Sequence, residues 1–392
     1  MTLRKYITPP NLVVILTVCY AVSEAMMLSA MIRRLFYIPL YALLFYYMCK
    51  SIFTCPKNSY VKALIFILIF FFLYGILLII NGYNPSWVGY YSSGKFLMDI
   101  FESISPIFVF YYFGLHNKID DKWFQYIFIL FFIGVCAEHI SGAMFQYSKR
   151  FLGSEADIDI TNNSGYYWAS LLAMIPFFDG KTLLQYIMMA IITVMSVISN
   201  KFGAILCVAV IDVYLLWNII KGARRNKKVF IIVISICLLF AGYYYLLQIS
   251  ANSDILTLSL DDNANGRDTM YPLILRTFMQ QDNIFHFIFG NGAQGTIHIL
   301  GFSAHNDWLE IAMSMGLVGL FVYLIYWIKF FRTYLLSKEI LKRNLTLVIG
   351  SFIILYFGKT MFSMSIYEIS IYAAAPLGYC MAKYTKSLYG YE

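Results

Sequence analysis

Residues 305–329, HNDWLEIAMSMGLVGLFVYLIYWIK, contain the pattern that decides the fold. Between Glu310 and Lys329 the chain runs through 18 uncharged, mostly apolar residues, 311–328. A helix needs about 20 such residues to cross the hydrocarbon core of a bilayer, which is roughly 30 Å thick. The run is continuous and does not alternate at every second residue. It therefore favours a membrane-spanning helix over a strand of a barrel.

The rest of the 392-residue chain has the same character, since 60% of its residues are hydrophobic and 13% are charged. Soluble domains carry about 25% charged residues, so this composition excludes an ordinary soluble enzyme. A bilayer offers the backbone no hydrogen-bond partners, which leaves helices and closed barrels as spanning structures. We predict an all-α integral membrane protein with about 12 transmembrane helices. The predicted spans are 12–31, 35–53, 62–82, 96–115, 123–140, 165–179, 182–199, 203–220, 229–248, 307–331, 345–361 and 366–384.

The distribution of positive charge predicts the orientation. With the N-terminus inside, 20 of the 29 Lys and Arg residues fall in cytoplasmic segments, including KGARRNKK (221–228) and the stretch from Lys329 to Arg343. Short cytoplasmic loops collect such residues, so both termini are predicted to be cytoplasmic. Arg33 and Arg34, in the first external turn, break the rule. The net charge of +8 is explained by these loops, and no nucleic-acid partner is expected.

The organisation that follows is a single polytopic membrane domain over residues 1–392. It has a smaller external loop at 141–164 and a large one at 249–306, which holds 58 residues (306 − 249 + 1). Loops beyond about 15 residues are usually functional or disordered. The large loop contains amphipathic pieces, MYPLILRTFMQQ (270–281) and IFHFIFGNG (284–292). They predict short helices at the membrane surface.

The segment HNDWLE (305–310) supports two interpretations. In the structural one, Asn306 caps the following helix. Asp307 and Glu310 lie on one face of its first turn, where their negative charges interact favourably with the positive end of the helix dipole. In the functional one, His305 accepts a proton from an attacking hydroxyl group. Asn306 and Glu310 then contribute to substrate binding. The sequence leaves both open.

Basic residues on the outer side predict a site for an anion. Arg267 and Arg276 lie in the large loop, and Lys201 lies at the outer end of a span. Lys201 either reaches an anion between helices or extends to the outer lipid headgroups. Arg and Lys can hold a diphosphate and stabilise it as a leaving group. There is no HExxH motif, metal-ligand cluster, P-loop or dinucleotide fingerprint. We therefore expect a lipid-linked anionic substrate, no metal and no other cofactor.

Several ionisable residues lie in or beside the predicted spans, where charge is costly and by default suggests function. These residues are Glu24, Asp99, Glu102, Glu138, Lys201, Asp212, Lys359 and Glu368.

Four blocks, taken in order, resemble the bacterial O-antigen polymerase and O-antigen ligase superfamily of polytopic membrane glycosyltransferases. The resemblance covers about residues 150–330, and its most specific block has a His-Asn, Leu-Glu and Gly-x-x-Gly pattern. The blocks are Arg150 followed by ITNNSGYYWASLLAMIPF (160–177), ISNKFGA (198–204), NGRDTMYPLILRTF (265–278) with FGNGAQG (289–295), and HNDWLEIAMSMGLVGLFVYL (305–324).

The resemblance implies a GT-C-like helical bundle whose large loop is periplasmic. It also implies a metal-independent glycosyltransferase of the inner membrane that uses an undecaprenyl-diphosphate-linked glycan as donor. His305 would activate or position the acceptor hydroxyl, and Arg267 would contact the diphosphate as a second catalytic residue. Lys201 would join Arg267; it keeps the charge of the family's usual arginine but not its bidentate fork. The supporting substrate contacts would be Arg276, Arg150, Asn163, Asn306 and Glu310.

The resulting prediction is an O-antigen polymerase that joins lipid-linked repeat units. An O-antigen ligase and a capsule or exopolysaccharide polymerase are the close alternatives. The HNDWLE block favours a polymerase, whereas Phe278 and Phe287 stand where some polymerase loops place a glycine, eleven residues after Arg267 and Arg276. A transporter of polysaccharide-linked lipids is the alternative of a different class. Expected partners are undecaprenyl-diphosphate-linked oligosaccharides and membrane lipids, and a chain-length regulator is a further candidate.

Overall fold

The computed structural model describes residues 8–80, 93–151, 164–199, 201–222, 267–365 and 368–390. These residues are almost entirely helical and contain no strand, which confirms the predicted all-α class for the part of the chain described. The predicted span 229–248 lies outside it. The helices are α1 (Pro9–Ala25), α2 (Ala30–Thr54), α3 (Ser59–Ile80), α4 (Ser93–Leu115), α5 (Asp121–Phe151), α6 (Ser164–Leu172), a 3-10 helix (Ile175–Phe178), α7 (Thr182–Ile198), α8 (Phe202–Gly222), α9 (Arg267–Met279), α10 (Ile284–Phe289), α11 (Gly295–Leu300), α12 (Asp307–Ile340), α13 (Arg343–Phe362) and α14 (Ile371–Tyr389).

Seven of the described helices are long and apolar enough to cross a membrane: α2, α3, α4, α5, α8, α12 and α13. The chain therefore has the character of a helical membrane protein. The predicted spans 12–31 and 182–199 correspond to α1 and α7, which are apolar but have only 17 residues each. The predicted span 366–384 corresponds to α14, of 19 residues. The short helices predicted in the large loop are present as α9 and α10.

The first hairpin turns earlier than the sequence predicted. Residues 26–29 form the turn, with Met27 in a left-handed conformation at φ 50°. Ser29 then caps α2, because its hydroxyl accepts a hydrogen bond from the Ile32 N–H at 3.5 Å. Met26 and Met27 are apolar, so hydropathy did not predict a turn there. Ser29, a residue type favoured at helix N-caps, was the local signal for the start of α2. Arg33 and Arg34 consequently lie in the first turns of α2 and not in a loop.

Segments predicted to share the cytoplasmic face lie together at one end of the bundle. Asn58, between α2 and α3, donates to the Met381 carbonyl at 3.2 Å and to Thr385 Oγ1 at 2.9 Å. Lys386 donates to Asn117 Oδ1, between α4 and α5, at 2.7 Å. Near the middle of α4 the Ile369 N–H donates to Ser103 Oγ at 3.2 Å. The turns after α2 and α4 and the last turns of α14 therefore lie together at one end of the bundle.

The segment predicted to span 165–179 is a broken helix buried inside the bundle. Helix α6 ends at Leu172, and the 3-10 helix Ile175–Phe178 follows. Irregular backbone at membrane depth is tolerated where protein satisfies its polar groups. Here Gln125 donates to the Phe177 carbonyl at 2.6 Å, and Gln185 donates to the Ile175 carbonyl at 3.3 Å. Two glutamines thus replace the hydrogen bonds that a continuous helix would have made.

Helix α12 has a break of its own near its N-terminal end. Its 34 residues include Gly316 at φ 64°, ψ −159°, a backbone conformation that only glycine adopts easily. A Cβ at this position would lie 2.5 Å from the Ile288 carbonyl oxygen. Beyond the break, residues 317–340 continue for about 36 Å at 1.5 Å per residue, enough to cross a bilayer. The nine residues 307–315 before it form a separate short helix.

The segment 288–295 docks onto the backbone exposed by this break. The Asn291 N–H donates to the Met313 carbonyl at 2.9 Å, and the Gly292 N–H donates to the Ser314 carbonyl at 3.0 Å. The Gly295 N–H donates to Ser314 Oγ at 2.7 Å. These bonds replace helical partners that the two carbonyls lose at Gly316. The glycine-rich stretch FGNGAQG is therefore the hydrogen-bonding complement of the broken helix.

We expect Gly316→Ala to lower the stability of the folded protein strongly, because the new methyl group enters a glycine-only conformation and meets the 288–290 backbone. The expected loss is about 3 kcal/mol or more. The measurement is the apparent melting temperature of the purified full chain in detergent.

Gly180→Ala is the matched control. Gly180 also has a positive φ, 82°, but no atom lies within 4 Å of a Cβ placed there. This variant isolates the backbone strain, about 1–2 kcal/mol. Equal losses for the two alanine variants would contradict the docking of 288–295 against Gly316.

Candidate functional site

The predicted site begins at the start of α12. Asn306 is the N-cap, because its Oδ1 accepts from the Trp308 N–H at 2.9 Å and from the Leu309 N–H at 3.2 Å. This confirms the capping interpretation of Asn306. His305, immediately before it, is exposed and has a positive φ of 47°. This left-handed conformation is uncommon for non-glycine residues, and histidine is among those that adopt it more often.

Asp307 anchors this helix start. The carboxylate is fully buried at 0% exposure. Its Oδ2 accepts from the Tyr323 hydroxyl at 2.6 Å, and its Oδ1 accepts from the Ser365 N–H at 2.8 Å. A buried carboxylate without such donors would be costly, so these partners fix the position of the helix end. Asp307 thereby joins the start of α12 to the segment that follows α13.

The Tyr271 side chain of α9 contacts the backbone just before α12 and at the end of α13. The Tyr271 hydroxyl lies 3.2 Å from the His305 carbonyl and 3.3 Å from the Met361 carbonyl, and both oxygens are acceptors. Burial raises the pKa of Tyr271, so the phenol stays protonated at neutral pH and remains a donor. Arg267, one turn earlier on α9, lies within electrostatic range of this phenol. Helix α9 is therefore held over His305 by a hydrogen bond to the histidine's own backbone.

Cationic side chains gather around Tyr166 of α6. The buried Lys359 ammonium lies 4.9 Å from the centre of the Tyr166 ring. Arg267 is within electrostatic range of the Tyr166 hydroxyl. Lys201 adjoins the preceding residue, since a Cβ on Gly165 would be 3.3 Å from Lys201 Cβ. Three elements distant in sequence thus place the Lys359 ammonium on the Tyr166 ring, Arg267 within electrostatic range of its hydroxyl, and the Lys201 Cβ beside Gly165. We call Lys201, Arg267, Lys359 and Tyr166 the cation cluster.

Glu368 partly balances this cluster. Its Oε2 lies 2.8 Å from Lys359 Nζ, which also donates to the Glu368 carbonyl at 3.1 Å. The carboxylate is about half exposed, whereas the lysine side chain is 3% exposed. Glu368 is the carboxylate that pairs with Lys359, and Arg267 and Lys201 add further basic residues to the same region. Such a group can bind a phosphate or diphosphate through charge-assisted hydrogen bonds.

The structure does not bring Arg276 into the cation cluster. It lies nine residues after Arg267 on α9, which at 100° per residue places it on the opposite face of the helix. Its guanidinium Nε donates to Gln280 Oε1 at 3.1 Å on the exposed surface. Arg150 lies in the last turn of α5, and nothing of its side chain is described. Asn163 lies outside the described residues.

Glu310 serves the docking of the large loop. The side chain is 3% exposed, and its Oε1 accepts from Ser314 Oγ at 2.7 Å. Its Oε2 accepts from the Thr296 hydroxyl of α11. Both carboxylate oxygens therefore have protein donors that join α11 to the first part of α12. These two hydrogen bonds give Glu310 a structural role. The contact between Glu310 and substrate stays a prediction.

Sequence reasoning did not select three residues that complete the site, Tyr166, Tyr271 and Glu368. Tyr166 and Tyr271 belong to a chain with 33 tyrosines, so composition gave them no prominence. Glu368 and its partner Lys359 were noted as ionisable residues at span borders but were not paired. The available signal was their order: a lysine in the last turn of one apolar segment and a glutamate before the next.

No protein-family model matches the chain, and no curated protein sequence matches it. The resemblance to the O-antigen superfamily therefore depends on the four quoted blocks alone.

We expect Glu310→Ala to destabilise the protein by about 2–3 kcal/mol, because two buried hydroxyl groups lose their acceptor. The segment 288–296 should also become more susceptible to protease. Thermal unfolding and limited proteolysis of the purified full chain measure the two effects.

Glu339→Ala is the control, since Glu339 is an exposed glutamate of the same helix. It should change neither quantity. An unchanged melting temperature for Glu310→Ala, together with weaker substrate binding, would instead support the predicted contact between Glu310 and substrate.

Proposed function

We propose that the chain is an O-antigen polymerase that joins undecaprenyl-diphosphate-linked oligosaccharide repeat units at the periplasmic face of the bacterial inner membrane. The observation that carries this proposal is the cation cluster at one end of an apolar helical bundle. Three cations beside membrane-spanning helices suit an anionic group carried on a lipid. A free soluble anion would not need a site built into such a bundle.

In the proposed reaction the cation cluster binds the donor diphosphate. Lys201, Arg267 and Lys359 neutralise charge that grows on the diphosphate as it leaves, which lowers the barrier to bond cleavage. The Tyr271 phenol holds α9, and with it Arg267, above the cluster. Little rearrangement is needed as the charge develops, because Glu368 already holds Lys359 and Tyr271 already holds α9, which carries Arg267.

His305 acts on the acceptor. The oxygen of an acceptor hydroxyl forms a bond to the anomeric carbon of the donor sugar, and the bond from that carbon to the diphosphate oxygen breaks. The hydroxyl proton passes to the imidazole of His305, and undecaprenyl diphosphate leaves with the electron pair. This single displacement inverts the anomeric configuration. A product that retained the donor configuration would exclude it.

The acceptor separates the polymerase from its close alternatives. A polymerase uses the terminal sugar of another lipid-linked repeat unit, and a ligase uses the lipid A-core. A capsule or exopolysaccharide polymerase differs only in where its product goes. The HNDWLE block supports the polymerase, and His305 is exposed.

A second candidate function, transport of polysaccharide-linked lipids, is favoured by one observation. Glu24, Glu102 and Glu138, from α1, α4 and α5, all lie within electrostatic range of Tyr20. Carboxylates grouped among apolar helices are typical of proton relays in transporters. Transport would require flux of a lipid-linked glycan across proteoliposomes without formation of a glycosidic bond. The polymerase requires the bond and no flux.

Deletion of the gene tests the proposed function in the cell. We expect lipopolysaccharide whose core carries a single repeat unit, with the longer ladder lost, as seen on a gel. Core without any repeat unit would favour the ligase. An unchanged ladder would contradict an O-antigen role and direct the search to capsule, exopolysaccharide or transport.

Purified variants test the site. We expect Arg267→Ala to reduce use of the lipid-diphosphate donor by about tenfold or more, because a charge-assisted contact to phosphate contributes about 1.5–3 kcal/mol. His305→Ala should abolish turnover and leave donor binding and melting temperature unchanged. Polymer formation from a lipid-linked repeat unit is the assay.

Arg276→Ala provides the matched control, because it removes an arginine from the opposite face of the same helix. It should polymerise at the normal rate. Equal losses for Arg267→Ala and Arg276→Ala would show that the effect is one of general charge or of α9 folding, and normal turnover by His305→Ala would exclude His305 from catalysis.

A further inference from the structure

A second polar cavity, of about 560 Å³, opens between the ends of α1, α2 and α4. Its lining includes Arg33 and Arg34 of α2 and Lys95, Asp99 and Glu102 of α4. The proposed reaction uses none of these residues. We call this space the α1–α2–α4 cavity. Its size is within the range of small-molecule sites, which are about 300–1,000 Å³.

The basic residues of the cavity stand where the orientation rule predicts few. Under the predicted topology Arg33, Arg34 and Lys95 are all external, whereas positive charge normally collects on the cytoplasmic side. Arg33 Nη1 lies 3.5 Å from Glu24 Oε1, at the long end of a hydrogen bond. Arg33 Nε is buried and has no hydrogen-bond partner among the described residues. The Arg33 side chain is nevertheless 40% exposed and lines the cavity, so its terminal nitrogens can reach an anion there.

The remaining lining suits hydroxyl groups better than phosphate. Asp99 and Glu102 can accept hydrogen bonds from hydroxyls, and the Tyr20 and Tyr37 side chains offer aromatic faces, with ring centres 5.9 Å apart. Glu102 is exposed toward the open cavity. A ligand that combines phosphate with a sugar would use both kinds of lining group. Phosphate alone would leave two carboxylates facing it.

The cavity adjoins the lipid-facing surface and the cation cluster. Met31 and Leu35, next to the two arginines on α2, are 78% and 65% exposed, as lipid-facing residues would be. On the inner side, Asp99 lies within electrostatic range of Glu368, the partner of Lys359. The Ile369 N–H is bound to Ser103 Oγ of α4 at 3.2 Å. A headgroup in the cavity would therefore lie beside the cation cluster while its lipid chain stayed in the membrane.

From these contacts we infer that the α1–α2–α4 cavity binds the glycosyl-diphosphate headgroup of a second lipid-linked saccharide, the acceptor of the reaction. Arg33, Arg34 and Lys95 bind the phosphates, and Asp99 and Glu102 bind sugar hydroxyls. This inference rests on the proposed function, because a polymerase must hold two lipid diphosphates at once and a single group of cations serves only one of them.

The experiment counts bound molecules by native mass spectrometry of the purified full chain. The probe is undecaprenyl diphosphate carrying one N-acetylglucosamine. We expect two probes per wild-type chain and one per Arg34→Gln chain, since loss of a guanidinium contact weakens the cavity site by about tenfold. Lys50→Gln removes a positive charge from the other end of the same helix and should still bind two.

The outcomes separate this inference from the proposed function. A single probe on the wild type, lost in Arg267→Ala and kept in Arg34→Gln, would overturn the second site and leave the proposed function standing. No probe on the wild type would overturn both. Two probes on Arg34→Gln would assign the second molecule to another place on the protein.

Two further arms test the chemistry of the headgroup. Phosphatidylglycerol at equal concentration should not displace the second probe, and displacement would make the cavity a site for ordinary anionic lipid. Asp99→Ala with Glu102→Ala removes the acceptors for sugar hydroxyls and two negative charges beside the phosphates. It should lower the affinity for the sugar-bearing probe about tenfold relative to the affinity for undecaprenyl diphosphate without sugar, which should not fall. An equal loss of affinity for the two lipids would exclude the contacts between these carboxylates and the sugar.

Discussion

A helix that breaks at membrane depth must find new donors for the carbonyls it frees, and the break of α12 at Gly316 imposes this constraint on the rest of the structure. The segment 288–295 supplies the donors, through Asn291, Gly292 and Gly295. Because that segment is held, the short helices on either side of it are held as well. The described part of the large loop, residues 267–306, is therefore a fixed part of the bundle end, and its contacts place α9 above His305.

The same end of the bundle concentrates charge, and each buried charge there has a partner that fixes its position. Lys359 is bound to Glu368, and Asp307 is bound to Tyr323 and Ser365. Leaving such groups unpaired in an apolar bundle would cost several kcal/mol. The pairing holds Lys359 in a defined geometry. That is the arrangement that binds a phosphate without a large cost of ordering side chains.

Local features of this site could be predicted from the sequence, and long-range ones could not. The cap at Asn306 and the helices α9 and α10 follow from neighbouring residues, so the local pattern predicted them correctly. In the sequence, Gly316 and Gly319 form only the Gly-x-x-Gly part of the block at 305–324. The close approach of 288–290, which is distant in sequence, accompanies the break at Gly316. Arg276 matched the expected chemistry, but helical geometry turns it away from Arg267.

The segment after α13 links the two polar sites and gives them a physical means of interaction. Ser365 holds the start of α12 through Asp307, while Ile369 is bound to Ser103 of α4. Glu368, between them in sequence, pairs with Lys359 and lies within electrostatic range of Asp99. An anion that draws Lys359 toward itself weakens the pair with Glu368, and the freed carboxylate then changes the field at Asp99. Because binding free energies couple reciprocally, any change that a headgroup in the proposed α1–α2–α4 site makes in the affinity of the cation cluster would be matched by the same factor in the other direction. In a polymerase that reciprocity would make occupation of each site depend on the other, so that bond formation begins when both lipids are in place.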